Sequence, residues 1–125
     1  MKNLNALLLI SLLVLTTGNL FSQKKSDVKP EGTWTFTSQD VPYEYSKGNL
    51  LVTRESKELR GEIVFSEYNK VKVQDLILED NVLTFKAYIE VEMVNVKGEI
   101  TGDEMKGTAT SSEGTVTWSA KRKQE

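Results

Sequence analysis

At 125 residues the chain has room for one domain, and its 16 basic and 18 acidic side chains leave a formal charge of −2. No block of one sign stands out, so the sequence offers neither the basic stripe of a nucleic-acid binder nor an acidic tail; Lys121-Arg122-Lys123 is too short to count as one. Histidine and cysteine are both absent, which removes Ser-His-Asp and Cys-His catalysis, an imidazole base, the usual zinc and copper ligand sets and every disulfide.

The first 22 residues have the layout of a secretory signal peptide. Lys2 supplies the positive start, Leu4 to Leu15 is apolar apart from Asn5 and Ser11, and small and polar residues follow as far as Gln23. The apolar run is too short for a membrane-spanning helix, so no membrane span is expected in the mature form. Cleavage after Ser22 is the first expectation, although Leu20 fits the small-residue rule poorly, and cleavage after Gly18 is the second. The expected destination is the periplasm or the medium. With no cysteine to acylate, the lipoprotein route is closed. Residues 23–30 read as a polar tether, 31–122 as the domain and 123–125 as a C-terminal tail. The mature chain of about 103 residues is long enough to stand on its own core.

Thr33 to Thr37 alternates strictly, placing Trp34 and Phe36 on one face and three threonines on the other, as a half-buried strand requires. Ser38 to Gly48 contains Asp40 and Pro42 and reads as a loop carrying Tyr43 and Tyr45. Asn49–Arg54 and Glu58–Phe65 form the next two strands, the latter with Leu59, Gly61, Ile63 and Phe65 inward. In the fourth run, Val71 and Val73 are odd while Leu76 and Leu78 are even, a change of phase that predicts a bulge near Gln74-Asp75. Asp80-Asn81 then turns the chain into Val82–Ala87, with Leu78 opposite Leu83, Leu76 opposite Phe85 and Asp75 opposite Lys86. A reversal is expected between Tyr88 and Glu92.

The last three runs, Met93–Thr101, Glu104–Ser111 and Thr115–Lys121, carry the clearest register. Gly102-Asp103 is a glycine-first two-residue turn of the II′ type, which pairs Ile100 with Met105, Glu99 with Lys106, Gly98 with Gly107 and Val96 with Ala109. A second turn at Glu113-Gly114 would set Trp118 opposite Ala109 and Ala120 opposite Gly107. Eight short antiparallel strands joined by consecutive hairpins predict an all-β, up-and-down, eight-stranded barrel, with a β-sandwich as the alternative.

Gly32-Thr33-Trp34 at the first strand, together with Arg122 just past the last, resembles the calycin pattern of lipocalins and of the short lipocalin-like domains of secreted bacterial proteins. The resemblance spans residues 32 to 122. It implies that Trp34 closes one end of a barrel and that Arg122 packs across it through cation–π attraction. Two features depart from the lipocalin pattern: no T-D-Y-like middle motif is present, and no helix follows the last strand.

No catalytic residues, no metal site and no cofactor are expected. The carboxylates Asp40, Glu44, Glu62, Glu67, Glu90, Glu92, Asp103 and Glu104 fall at turns or on outer faces, where ion pairs with lysines account for them. A barrel of eight strands either holds one small ligand or is filled by side chains. Bulky inner residues (Trp34, Phe36, Phe65, Leu76, Leu78, Leu83, Phe85) contrast with small ones (Gly98, Gly107, Ala109, Ala120), which suggests a plugged end and a looser end. The expectation is a non-catalytic module binding a small apolar or amphipathic ligand at the looser end, with Tyr43, Tyr45 and Trp118 as the candidate contacts. The alternative is an accessory module with a solid core that meets a protein partner.

Overall fold

A computed structural model describes residues 28–124; the signal-peptide reading and residues 23–27 of the tether lie outside the described residues. The chain forms β1 (Gly32–Ser38), a single 3-10 turn (Tyr43–Tyr45), β2 (Lys47–Glu55), β3 (Glu58–Ser66), β4 (Asn69–Lys72), β5 (Gln74–Glu79), β6 (Val82–Ile89), β7 (Glu92–Thr101), β8 (Glu104–Ser111) and β9 (Gly114–Arg122). All pairings are antiparallel, in the order β4-β3-β2-β1-β9-β8-β7-β6-β5, so the sheet curls through the β1–β9 pair into a nearly closed barrel. The sandwich is not what forms.

Nine strands replace the eight expected, because the fourth run divides in two. β4 pairs with β3 and β5 pairs with β6, and the Val73 amide between them donates to the Gly61 carbonyl at 3.0 Å. The change of hydrophobic phase therefore marks a change of partner as well as a bulge. The bulge itself lies between Gln74 and Ile77, with Asp75 at φ 53°, and Asp75 and Leu76 together oppose Phe85, so the simple Leu76–Phe85 pair is not made. β4 and β5 keep one direction. The count of directions around the barrel is then even, which is what allows β1 and β9 to meet antiparallel.

The β7–β8 register follows the Gly102-Asp103 turn as read, with Ile100 opposite Met105, Glu99 opposite Lys106 and Gly98 opposite Gly107; Gly102 sits at φ 63°. The β8–β9 register is displaced by two residues from the expectation. Ser111 pairs with Gly114, making Ser112-Glu113 the turn, so Trp118 faces Gly107 and Val116 faces Ala109. Gly114 takes φ 126° as the residue that closes the turn, where a side chain would be strained, instead of forming its corner. A slip of two leaves every side chain on its own face, so the apolar pattern tolerates either register.

The core gathers toward one end of the barrel. Trp34, Val52, Leu83, Ile100, Met105 and Ala120 are buried there, near the ends or starts of their strands. Trp34 is 0 % exposed, and its indole Nε1 donates to the Pro30 carbonyl at 2.9 Å. Val28 and Pro30, read from sequence as tether, pack against this end, because a buried indole N–H requires an acceptor and residue 30 supplies it. The Arg122 guanidinium carbon lies 4.2 Å from the Trp34 ring centroid. Its Nη1 donates to the Glu31 carbonyl, Nη2 to the Lys29 carbonyl at 2.8 Å and Nε to Asp103 Oδ1 at 2.9 Å. One planar group thus covers the indole and satisfies the carbonyls of an irregular segment. Lysine has neither the plane nor the fork, so Arg122→Lys should lower stability by about 1–2 kcal/mol, read as a shift of the urea midpoint without a change of slope.

Beside this closure, Arg54 Nε meets Glu31 Oε2 at 2.8 Å. The hydrogen bond from Arg54 holds the Glu31 carboxyl below its ordinary value of 4.5. A depressed carboxyl contributes stability above its unfolded pKa and loses it as pH falls through the folded value. Both partners are well exposed, so the effect is small. Glu31→Gln should flatten the fall in melting temperature below pH 4.5 and shift it little at neutral pH.

Candidate functional site

At the opposite end the barrel opens. A cavity of about 300 Å³ lies between the two walls of the sheet, at the lower limit of the range for small-molecule sites. Leu50, Ile63 and Phe85 form its floor above the packed core; Phe36, Phe65, Val94, Val96, Ala109, Val116 and Trp118 form its sides. Aromatic groups pack against one another in this wall: Phe65 meets Phe36 edge-on at 5.8 Å between centroids and Tyr45 at 5.0 Å.

Trp118 owes its place to glycine. A Cβ on Gly98 would lie 2.8 Å from the indole carbons and 2.7 Å from Met105 Sδ, so the ring and the thioether occupy the volume that the missing side chain leaves. The indole Nε1 donates to the Thr108 carbonyl at 3.1 Å, which fixes the ring against the β8 backbone while it contributes to the cavity wall. Of the residues singled out from sequence, Tyr45 and Trp118 line the cavity. Tyr43 does not. It is 79 % exposed and turned outward, with Lys47 Nζ 5.6 Å above its ring, since the 3-10 turn sends neighbouring side chains to different sides. Trp34 and Arg122 lie at the closed end.

The split into bulky and small inner residues also needs correction. Phe36, Phe65 and Phe85 surround the cavity instead of plugging the far end, and Ala120 is buried in the core opposite Met105. Gly98 and Gly107 are covered, leaving Ala109 as the small residue that borders open space. Position along each tilted strand, more than residue size, decides which end a side chain serves.

The mouth is formed by the 39–46 loop and by the turns at 67–68, 90–91 and 112–113. Asp40, Glu90, Glu92 and Glu113 are the charged residues lining the cavity, and none of them is in a salt bridge among the described residues. The ion pairs with lysines expected from sequence for Asp40, Glu90 and Glu92 are therefore not made among the described residues. Glu92 accepts a hydrogen bond from the Ser112 amide, and its carboxyl is pulled below the ordinary value first by the Ser112 side chain and then by that amide. Tyr45 is pushed above its ordinary value of 10.0, first by desolvation and then by the carboxylates of Glu90 and Glu44. Val94 and Val116 were missed as lining residues, although their alternation with outward neighbours was visible in the sequence. Among the described residues no three acidic groups converge closely enough to hold a metal ion.

No protein-family model and no curated protein matches the sequence. Among solved structures, the chain is similar to fatty-acid-binding protein 1 of Echinococcus granulosus, at 15% identity and a TM-score of 0.50, covering 76% of this chain and 98% of that one. It is also similar to a redesigned β-barrel, at 18% identity and a TM-score of 0.52, covering 76% of this chain and 91% of that one. At these identities the likeness is one of fold: an antiparallel, nearly closed β-barrel.

Proposed function

We propose that this protein is a non-catalytic binding module that takes up one small apolar or amphipathic molecule in the open end of its barrel. The observation that carries the reading is the cavity itself. A barrel this small can be filled by its own side chains, yet the packed core stops at Leu50, Ile63 and Phe85 and leaves an apolar chamber braced by aromatic rings. That chamber disfavours the solid-core alternative. The fatty-acid-binding protein of similar fold is in keeping with this use, though the fold by itself assigns no ligand. Export is part of the proposal and rests on the Leu4–Leu15 run with the polar segment after it; intact mass of protein recovered outside the cytoplasm should show a chain lacking Met1 to Ser22.

A neutral probe, N-phenyl-1-naphthylamine, tests the binding reading without a charge of its own. Its fluorescence should rise saturably with one probe per chain, and at a hundredfold excess over Kd the fold should gain about 2.7 kcal/mol. Ala109→Phe, which fills the chamber from the β8 side, should abolish the rise while the protein stays folded by circular dichroism. A probe signal of the same size in that variant would place binding elsewhere on the surface.

A further inference from the structure

We infer that the amphipathic ligand of this cavity carries a cationic head, an organic ammonium or amidinium group, and not the carboxylate that a fatty acid would bring. The inference rests on the cavity being the binding site and adds the chemistry of its mouth. Every charged residue that lines the cavity is a carboxylate: Asp40, Glu90, Glu92 and Glu113, with no lysine or arginine among the lining residues. The asymmetry extends to the turns around it. The 39–46 loop and the 67–68, 90–91 and 112–113 turns together carry Asp40, Glu44, Glu67, Glu90 and Glu113 and no basic residue. The nearest basic positions in sequence, Lys47 and Lys70, are exposed, sit just inside their strands and do not line the cavity; Lys47 lies over the outward-facing Tyr43. The closed end, by contrast, mixes its signs, with Glu31 on Arg54 and Asp103 on Arg122.

Geometry separates this mouth from an inorganic cation site. No three of the acidic groups converge, so they cannot replace the hydration shell of a divalent metal; they spread a negative potential around an apolar opening. A monovalent organic cation suits that arrangement, because its tail gains from burial against Phe36, Phe65 and Trp118 while its head stays hydrated at the rim near Glu90 and Tyr45. An anionic head at the same height would face repulsion from each carboxylate, with no donor of positive charge to offset it.

The test is a matched series with one chain length and three heads: decyltrimethylammonium, decanol and decanoate, each below its micellar concentration and titrated by calorimetry. The cation should bind at least about tenfold more tightly than decanoate, with decanol between them. The gap should narrow on raising salt to about 0.5 M, since exposed charges are screened over short distances there, and it should narrow in the Glu90→Gln/Glu113→Gln variant. If that variant fails to fold, the salt series on the unaltered protein still decides the matter. Decanoate binding as tightly as the ammonium compound, with decanol also bound, would overturn the cationic head and leave the cavity reading standing. Failure of all three to bind would overturn both.

Discussion

Replacing Trp34 by alanine should cost about 3–5 kcal/mol, the range for emptying a large aromatic from a packed core, and so bring a domain with roughly 5–15 kcal/mol of total stability to the edge of unfolding. Three losses coincide at this position. The indole is fully buried at the centre of the closed end, its N–H holds Pro30, and its face is the platform for Arg122. Without the ring, the guanidinium still binds the carbonyls of Glu31 and Lys29 but stands over a void. Chemical denaturation should show the midpoint falling well below that of Trp118→Phe, a change at the cavity wall where the lost volume borders space that is already open. Equal effects for the two tryptophans would mean that the ends of the barrel are not differently packed.

Gly107→Ala should be nearly as damaging, although it adds a single methyl group. A Cβ at position 107 would lie 1.7 Å from the Lys97 carbonyl oxygen and 2.7 Å from the Gly98 Cα, so it meets the backbone of the neighbouring strand and not the movable end of a side chain. Relief requires β7 and β8 to separate where Gly98 and Gly107 pair, and Trp118 is seated against the same strands. Overpacking of a filled core typically costs 1–3 kcal/mol and sometimes more; a backbone obstacle belongs at the upper end, about 3 kcal/mol, or roughly 12–24 °C in melting temperature for a domain near 100 residues. Gly102→Ala provides the comparison. Nothing lies within 4 Å of a Cβ there, and the cost is only that of a side chain at φ 63°, roughly 1 kcal/mol.

Much of the scaffold is legible in the sequence because strand period and turn chemistry act locally. Trp34 and Phe36 alternate with threonines, and a glycine-first turn at Gly102-Asp103 sets a register that the apolar pairs Ile100–Met105 and Val96–Ala109 reinforce. The β8–β9 hairpin shows where such reasoning stops. Gly114 permits two neighbouring turns, and a slip of two residues preserves every face, so pattern alone does not choose between them. The fourth run shows a second limit: its change of phase is visible, but the partner switch from β3 to β6 is a property of closing the barrel.

The site is less legible still. Whether an inner side chain fills the core or borders the cavity depends on its height along the barrel axis, which strand tilt and stagger set only once all strands are assembled. Phe36 and Trp34 are two residues apart on one face of one strand, yet one lines the chamber and the other seals the opposite end. The carboxylates of the mouth look in sequence like ordinary turn residues. Their meaning comes from four separate turns arriving at one opening.

The two indoles offer the most direct test of an open chamber above a sealed core. In a nitrogen–proton correlation spectrum, the Nε1–H of Trp118 at the cavity wall and that of Trp34 at the closed end report the two ends of the barrel separately. Titration with decanol should shift the Trp118 indole signal saturably and leave the Trp34 signal in place. Saturable movement of Trp34 with Trp118 unmoved, or no movement of either at concentrations that saturate the neutral probe, would contradict the account.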